Sequence, residues 1–298
     1  MIRLDDTSGS AVAAAISAER HRQGSPTTGM VLTMLIVTDE EHQADATAAA
    51  VTAARQHPMR IVSLIPRPGR GEPRLDAEIA VGGDDGPGEV AVLRLRGPLS
   101  GHANSVAIPL LLSDTPVVAY WPSDAPDIPA EDPIGRHAQR RITDCASADD
   151  PLAELQRRRI GYRPGDTDLS WTRLTPWRSV LASIFDQSIA QVSSIQIGAE
   201  PVSASAALLQ TWLGNGLSSP VELVDTDGLG ISVVRMSTSE GDIVIERPDG
   251  ATALLHLPHI AESHVALPRR DLAELLAEEL RRLDPDEVYE KTLMGTHS

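Results

Sequence analysis

Two hydrophobic patterns divide the chain. In the first half, unbroken apolar runs alternate with Ala-rich segments; in the second, helical apolar stripes alternate with short runs cut by Asp-Gly and Glu-Gly turns. MVLTMLIV (30–37) is a continuous apolar run, as a strand is when both faces of a sheet are covered, and MRIVSLIP (59–66) reads as a second buried strand. Between them, Thr38 and Asp39 are positioned to cap an Ala-rich helix running to about His57. Strand, helix, strand in that order predicts parallel pairing through a right-handed crossover. A helix over Ser10 to Arg22, with Val12 and Ile16 on its apolar side, precedes this unit. LDAEIAV (75–81) and EVAVLRL (89–95) flank a Gly-rich turn as two further strands. Leu99 to Leu112 reads as a helix bent at Pro109, PVVAYW (116–121) as a buried strand, RRIT (140–143) as a short strand, and Asp150-Pro151 as a helix start.

GYRPGDTD (161–168) has linker composition and marks a boundary. Beyond it, Thr175-Pro176 starts a helix with Trp177, Val180, Leu181, Ile184 and Phe185 on one stripe. A strand over 190–198, a helix over 201–213 with Leu208, Leu209 and Trp212 inward, and about four strands between Val221 and Leu257 follow. Pro268 starts a Leu-rich helix, and Asp284, Pro285 and Glu287 fit N-cap, N1 and N3 of a last one. The expected fold is therefore α/β. Residues 1–164 form a three-layer domain, Rossmann-like or flavodoxin-like, with a mostly parallel sheet; residues 165–298 form a smaller α+β domain with an antiparallel meander and C-terminal helices.

Charge narrows the partners. A formal net charge of -16 opposes binding to nucleic acid or anionic membranes. Basic clusters do occur, at Arg67, Arg70 and Arg74, at Arg136, Arg140 and Arg141, and at Arg157 to Arg159; they read as solvated faces, with an acidic ligand at one patch as the alternative. No apolar run approaches the roughly 20 residues of a membrane-spanning helix, and the N-terminus lacks a basic region followed by an apolar one, so a cytoplasmic protein is expected. Cys145 is the single cysteine, which excludes an internal disulfide and a multi-thiolate metal site. Lys291 is the single lysine and lies in no Schiff-base or phosphate-loop motif.

Motifs for catalysis are equally sparse. Gly82, Gly83, Gly86 and Gly88 are followed by a strand rather than a helix, so they suit a hairpin connection and not a dinucleotide loop. His256, His259 and His264 are close in sequence, but Pro258 prevents them from sharing a helix face. Cys145 precedes a helix N-terminus without a histidine beside it and reads as a buried small residue. Neither a nucleophile elbow nor HExxH is present. No catalytic residue, cofactor or metal is expected.

The four tryptophans are unevenly placed. DLSWTRLTPWR (168–178) sets Trp171 and Trp177 beside Arg173 and Arg178, and indole with guanidinium is a common interface pairing; the alternative is that both rings fill a core. Tyr120 and Trp121 stand at the carboxyl end of a strand, where open α/β sheets hold ligands. The same segments, with HANSVAIPLLLSDTPVVAYWP (102–122) and LPRRDLAELLAEELRRLDPDEVYEKTL (267–293), closely resemble the glucose-6-phosphate dehydrogenase assembly protein family, OpcA. The resemblance implies a non-enzymatic partner that binds glucose-6-phosphate dehydrogenase and promotes its active oligomer or raises its activity, in the oxidative pentose phosphate pathway. Redox control, associated with cyanobacterial members, has no dithiol to act on here. The contact is expected at Trp171, Arg173, Trp177 and Arg178, with Tyr120 and Trp121 next. The competing reading is a small-molecule sensor or enzyme with a crevice beside Trp121, where Arg136 or Arg140 would hold a phosphate group.

Overall fold

The computed structural model describes residues 1–23, 29–82, 88–186 and 189–295. In chain order the first elements are β1 (Ile2–Leu4), α1 (Gly9–Gln23), β2 (Leu32–Val37), α2 (Gln43–Ala53), β3 (Met59–Arg67), β4 (Arg74–Val81), β5 (Glu89–Arg96), α3 (Ala103–Ala107), β6 (Val117–Trp121), β7 (Arg140–Thr143), α4 (Pro151–Gly161) and β8 (Asp166–Asp168). There follow α5 (Leu169–Thr172), α6 (Thr175–Phe185), β9 (Val192–Ala199), α7 (Ala204–Leu217), β10 (Val221–Asp225), β11 (Ile231–Thr238), β12 (Gly241–Glu246), β13 (Thr252–His256), β14 (Ser263–Ala266), α8 (Leu272–Glu279) and α9 (Glu287–Met294).

Two compact units result. The first comprises Met1–Asp144, Gly161–Thr167 and Asp271–Pro285; the second comprises Cys145–Ile160, Asp168–Arg270 and Asp286–Ser298. The expected boundary at residue 164 falls inside one of the short segments of the first unit, and a single cut does not reproduce this partition. GYRPGDTD is not a free linker: β8 forms the edge of the first sheet, because Arg141 fixes it by donating to the Asp166 carboxylate and the Pro164 carbonyl.

In the first unit the sheet order is β1-β4-β5-β3-β2-β6-β7-β8. The pairings β5-β3, β3-β2, β2-β6 and β6-β7 are parallel, and β4-β5 and β1-β4 are antiparallel. Successive side chains of a strand face opposite layers, and β3 shows which helix covers which. Val62 and Leu64 belong to a core with Val12 and Ile16 of α1 and Val106 and Ala107 of α3. Ser63 points the other way and shares a 2.7 Å hydrogen bond with Thr47 of α2. Helices therefore cover both faces, which is why the central strands are mostly apolar and why the polar side chains they do carry, Thr33, Arg60 and Ser63, are buried. On the second face, α2 also packs against α8, and the His57 ring meets the Ala277 carbonyl at 3.0 Å.

Several ends differ from the sequence reading. α2 begins at Gln43, not after Asp39, because the Asp39 carboxylate accepts from the His42 backbone at 2.8 Å and closes a turn first. The expected helix over 99–112 breaks into 3-10 turns at 97–102 and 108–110 around the short α3, consistent with the missing N–H donors of Pro98 and Pro109. Residues 83–87, which include Gly83 and Gly86, lie outside the described residues; at the margins of that connection the Gly82 N–H donates to the Gly88 carbonyl at 3.1 Å.

In the second unit the sheet order is β10-β9-β11-β12-β13-β14. β10 pairs parallel with β9, and β9, β11, β12, β13 and β14 follow as an antiparallel series. β14 falls in the segment read as loop around the three histidines, where polar side chains hide its alternation. α7 packs on β9 and β10, with α5 and α9 against it. Leu213, rather than Trp212, completes its buried side. The two C-terminal helices start later than expected because aspartates outcompete the prolines as caps. Asp271 forms a capping box with Glu274, and Asp286 accepts from Val288 and Tyr289.

Two expectations test this architecture. In the first unit, Arg140 and Glu279 are each about 95% buried and paired, and Arg140 also donates to the Asp284 carbonyl at 3.0 Å. Glu279→Ala leaves a buried guanidinium without its carboxylate and should lower stability by about 3 kcal/mol, read from the first urea transition, whereas an Arg140→Met/Glu279→Leu double variant should recover most of it. In the second unit, burial, followed by the Asp168 carboxylate, pushes the Cys145 thiol far above its ordinary value. The thiolate is the reactive form, so Cys145 should react with a thiol reagent at pH 8 at least about a hundredfold more slowly in the folded chain than in urea.

Candidate functional site

The tryptophan-rich segment is organised by two aspartates of the second unit. Asp168, fully buried, accepts from the Ser170 N–H at 2.8 Å and so caps α5, while its other oxygen accepts from the Cys145 N–H at 3.0 Å. One turn on, Trp171 donates its indole N–H to Asp286 at 2.9 Å. The ring packs against Tyr289, tilted by 42° with centroids 5.9 Å apart, and carries the Arg178 guanidinium 3.7 Å from its centroid. Arg178 also donates to the Thr175 hydroxyl at 3.0 Å. Trp177 has a different partner: the guanidinium of Arg247, from the end of β12, lies 5.2 Å from its centroid.

A buried ring presents nothing to a docking protein. Trp171 is 1% exposed and Trp177 2%, so of the four residues expected at a contact only the half-buried Arg173 and Arg178 reach the surface. Tyr120 and Trp121 are likewise buried, at 1% and 3%. Gly135 lies close enough to the Trp121 ring that a Cβ there would stand 3.3 Å from it. The crevice expected beside Trp121 is thus packed, and Arg140, one of the two arginines assigned to hold a phosphate in it, is spent on Glu279. Arg136 is exposed.

The basic clusters of the sequence are largely neutralised in the same way. Arg67 pairs with Glu40, Arg74 with Asp76, and Arg157 and Arg158 with Glu154. His256 and His264 flank Glu262 at 3.2 and 3.8 Å, all three partly or largely exposed. Among the described residues no three His, Cys, Asp or Glu side chains converge as metal ligands, and no helix is long and apolar enough to cross a membrane.

A cavity of about 540 Å³ lies in the second unit, bounded by the start of α6, the loop leading into α7, the start of β11, the end of β12 and the segment before α8. Four arginines line it, Arg173, Arg247, Arg269 and Arg270, against two carboxylates, Asp149 and Glu200. Arg247 is 8% exposed; it donates to the carbonyls of Ile231 at 2.7 Å and Leu267 at 3.3 Å, and its Nε has no partner. Burial, and after it repulsion from Arg269, pushes its pKa down to about 10, with Asp249 acting weakly the other way. Arg269, exposed, donates to the Leu229 carbonyl, and Arg270 to that of Thr172. Among the described residues neither Arg247 nor Arg269 has a carboxylate at ion-pair distance. The first turn of α7, capped by Ser203, lines the same space. Of these groups the sequence reading singled out only Arg173. Arg269 and Arg270 sit in a block noted for its family likeness alone, and no spacing rule connects Arg247 to either.

Comparison with known proteins agrees with the sequence resemblance. Residues 50–160 match a family model described as the glucose-6-phosphate dehydrogenase subunit N-terminal domain, and residues 164–293 match one described as the C-terminal domain of that subunit. No curated protein matches the sequence. Among solved structures, the chain is similar to a 3-ketoreductase from Actinomadura kijaniata, determined with TDP-benzene and NADP, at 13% identity and a TM-score of 0.49, covering 89% of this chain and 94% of that one. It is also similar to an oxidoreductase from Sinorhizobium meliloti, at 10% identity and a TM-score of 0.47, covering 89% and 86%. A Clostridium difficile dehydrogenase gives 5% identity and a TM-score of 0.47, covering 88% and 95%. Identities and scores this low say nothing of activity. The two consecutive family matches, spanning both units in order, do decide the relationship: the chain belongs to the OpcA family of glucose-6-phosphate dehydrogenase assembly proteins.

Proposed function

We infer that this protein is a non-catalytic assembly factor that binds glucose-6-phosphate dehydrogenase in the cytoplasm and promotes its active oligomer, at the entry to the oxidative pentose phosphate pathway. The observation that carries the reading is the match of both halves, in order, to domains described as belonging to a subunit of that dehydrogenase. The state of the reactive groups is compatible with it. Cys145 is buried with its thiol pushed up, and the Arg140–Glu279 and Arg141–Asp166 pairs are buried in structural roles.

An effector of this kind works by binding one state of its target more tightly than another, and about 1.4 kcal/mol of difference is enough for a tenfold shift. We place the contact around Arg173 and Arg178, the second of which lies over the buried Trp171 ring. Substituting the tryptophans would test the fold, so the arginines are the informative positions.

The test is a dehydrogenase rate assay with and without this chain, together with gel filtration of the mixture. Co-elution with a larger dehydrogenase oligomer and a higher rate are expected, and an Arg173→Ala/Arg178→Ala variant with an unchanged circular dichroism spectrum should need at least about tenfold more protein for the same effect. Separate elution with an unaltered rate would sink the assembly reading; full activity of the double variant would remove only the assigned contact.

A further inference from the structure

The cavity of the second unit is not accounted for by docking to another protein. Its distinguishing group is Arg247, a guanidinium more than nine-tenths buried, satisfied by two backbone carbonyls and not by a carboxylate, with its Nε left open. Every other deeply buried arginine whose ion pairs are described here, Arg60, Arg140, Arg141 and Arg158, has a carboxylate within reach. A buried cation is costly when its only oxygen partners are neutral, and the cost falls when an anion joins it. Arg269, exposed at the same cavity and also without a carboxylate, adds a second positive charge close enough to disfavour that of Arg247. Two guanidiniums that repel each other across an open space are the arrangement a multiply charged anion resolves, since each fork can donate two parallel N–H groups to its oxygens.

Four further features fit the same occupant. The N-terminal turn of α7, a helix of 14 residues, lines the cavity, and helix N-termini favour phosphate. A volume of about 540 Å³ is within the range of small-molecule sites. The lining also offers apolar side chains, Pro176, Val202 and Leu229, of which Val202 and Leu229 are 52% and 68% exposed. Val202 has a φ of 60°, a left-handed conformation that β-branched residues rarely adopt, and such strain concentrates at ligand sites.

We propose that this cavity binds a small phosphorylated metabolite, its phosphate group held by Arg247 and Arg269 and its uncharged body lying toward Pro176, Val202 and Leu229. The proposal does not depend on the assembly reading. It relocates small-molecule recognition from the packed surroundings of Trp121 to a site in the second unit.

Isothermal titration of the full chain decides the matter, with glucose 6-phosphate, inorganic phosphate and unphosphorylated glucose as probes. Saturable binding of glucose 6-phosphate, competed by inorganic phosphate and absent for glucose, is expected. Arg269→Gln changes an exposed side chain, keeps the fold, and should weaken binding at least about tenfold; Arg247→Met should abolish it. Absence of heat from both phosphate probes at millimolar concentration would overturn the proposal. Unchanged affinity in Arg269→Gln, or glucose binding as well as its phosphate, would do the same, and the Arg269→Gln result stands even where Arg247→Met fails to fold.

Discussion

A guanidinium removed from water keeps its charge and must be given oxygen atoms, and the interior of this chain is arranged around that requirement. With Lys291 as the only lysine, nearly every positive charge sits on a planar fork of five donors, so each buried cation needs several acceptors. Arg60 meets Glu89 across the β3–β5 pairing, at 2.6 Å from its Nε, and the Leu110 carbonyl at 2.7 Å. Arg20 of α1 adds a second donor to the same Glu89 at 3.1 Å. Arg140 ties β7 to α8 through Glu279, and Arg141 ties β7 to β8 through Asp166. In the first unit these pairs sit where a strand must accept a covering helix or a short edge strand, so polar contacts there specify which segment docks where, while apolar burial supplies the driving force.

The second unit uses short carboxylates to similar effect. Asp168 and Asp286 each cap a helix with one oxygen and hold a second group with the other, Cys145 in the first case and Trp171 in the second. An N-cap carboxylate already fixed by backbone N–H groups has little freedom left, so the indole it accepts from is positioned without further constraint. Arg178 above the ring and Tyr289 beside it then complete the packing. Two tryptophans within seven positions looked like an interface motif because their pairing with arginine is shared by interfaces and cores. Burial separates the two cases, and for Trp171 it involves Asp286 and Tyr289, more than a hundred residues away.

Much of the fold was legible where a pattern is local. The runs at 30–37 and 59–66 announced parallel strands because a sheet covered on both faces favours apolar residues at successive positions, and α6 announced itself through the stripe of Trp177, Val180, Leu181 and Ile184. Legibility failed where a distant partner decides. GYRPGDTD carries every sign of a linker, yet Arg141 converts it to an edge strand. Pro268 and Pro285 are good helix starters, but Asp271 and Asp286 had side chains free to bond the first turn, and a cap with a carboxylate outcompetes a proline's fixed φ. Strand β14 has too few apolar residues to alternate visibly, being specified by its pairing with β13.

The candidate site was less legible still. Its arginines come from positions 173, 247, 269 and 270, with no spacing a local rule could read, and the basic clusters that do stand out in sequence are mostly neutralised by neighbouring acids. The formal charge of -16 argued against nucleic acid and anionic membranes, and left an acidic ligand open only at basic clusters visible in the sequence. A long polyanion must lie along an extended surface and meets the summed negative field. A small one need not. Exposed charges are screened beyond about 8 Å at physiological ionic strength, so an ion inside a cavity responds chiefly to the groups lining it. Where those groups are four guanidiniums and two carboxylates, the local balance is opposite in sign to that of the chain as a whole. A strongly negative net charge is therefore compatible with a cavity whose own lining favours a compact anion, and only the folded arrangement of residues far apart in sequence creates that lining.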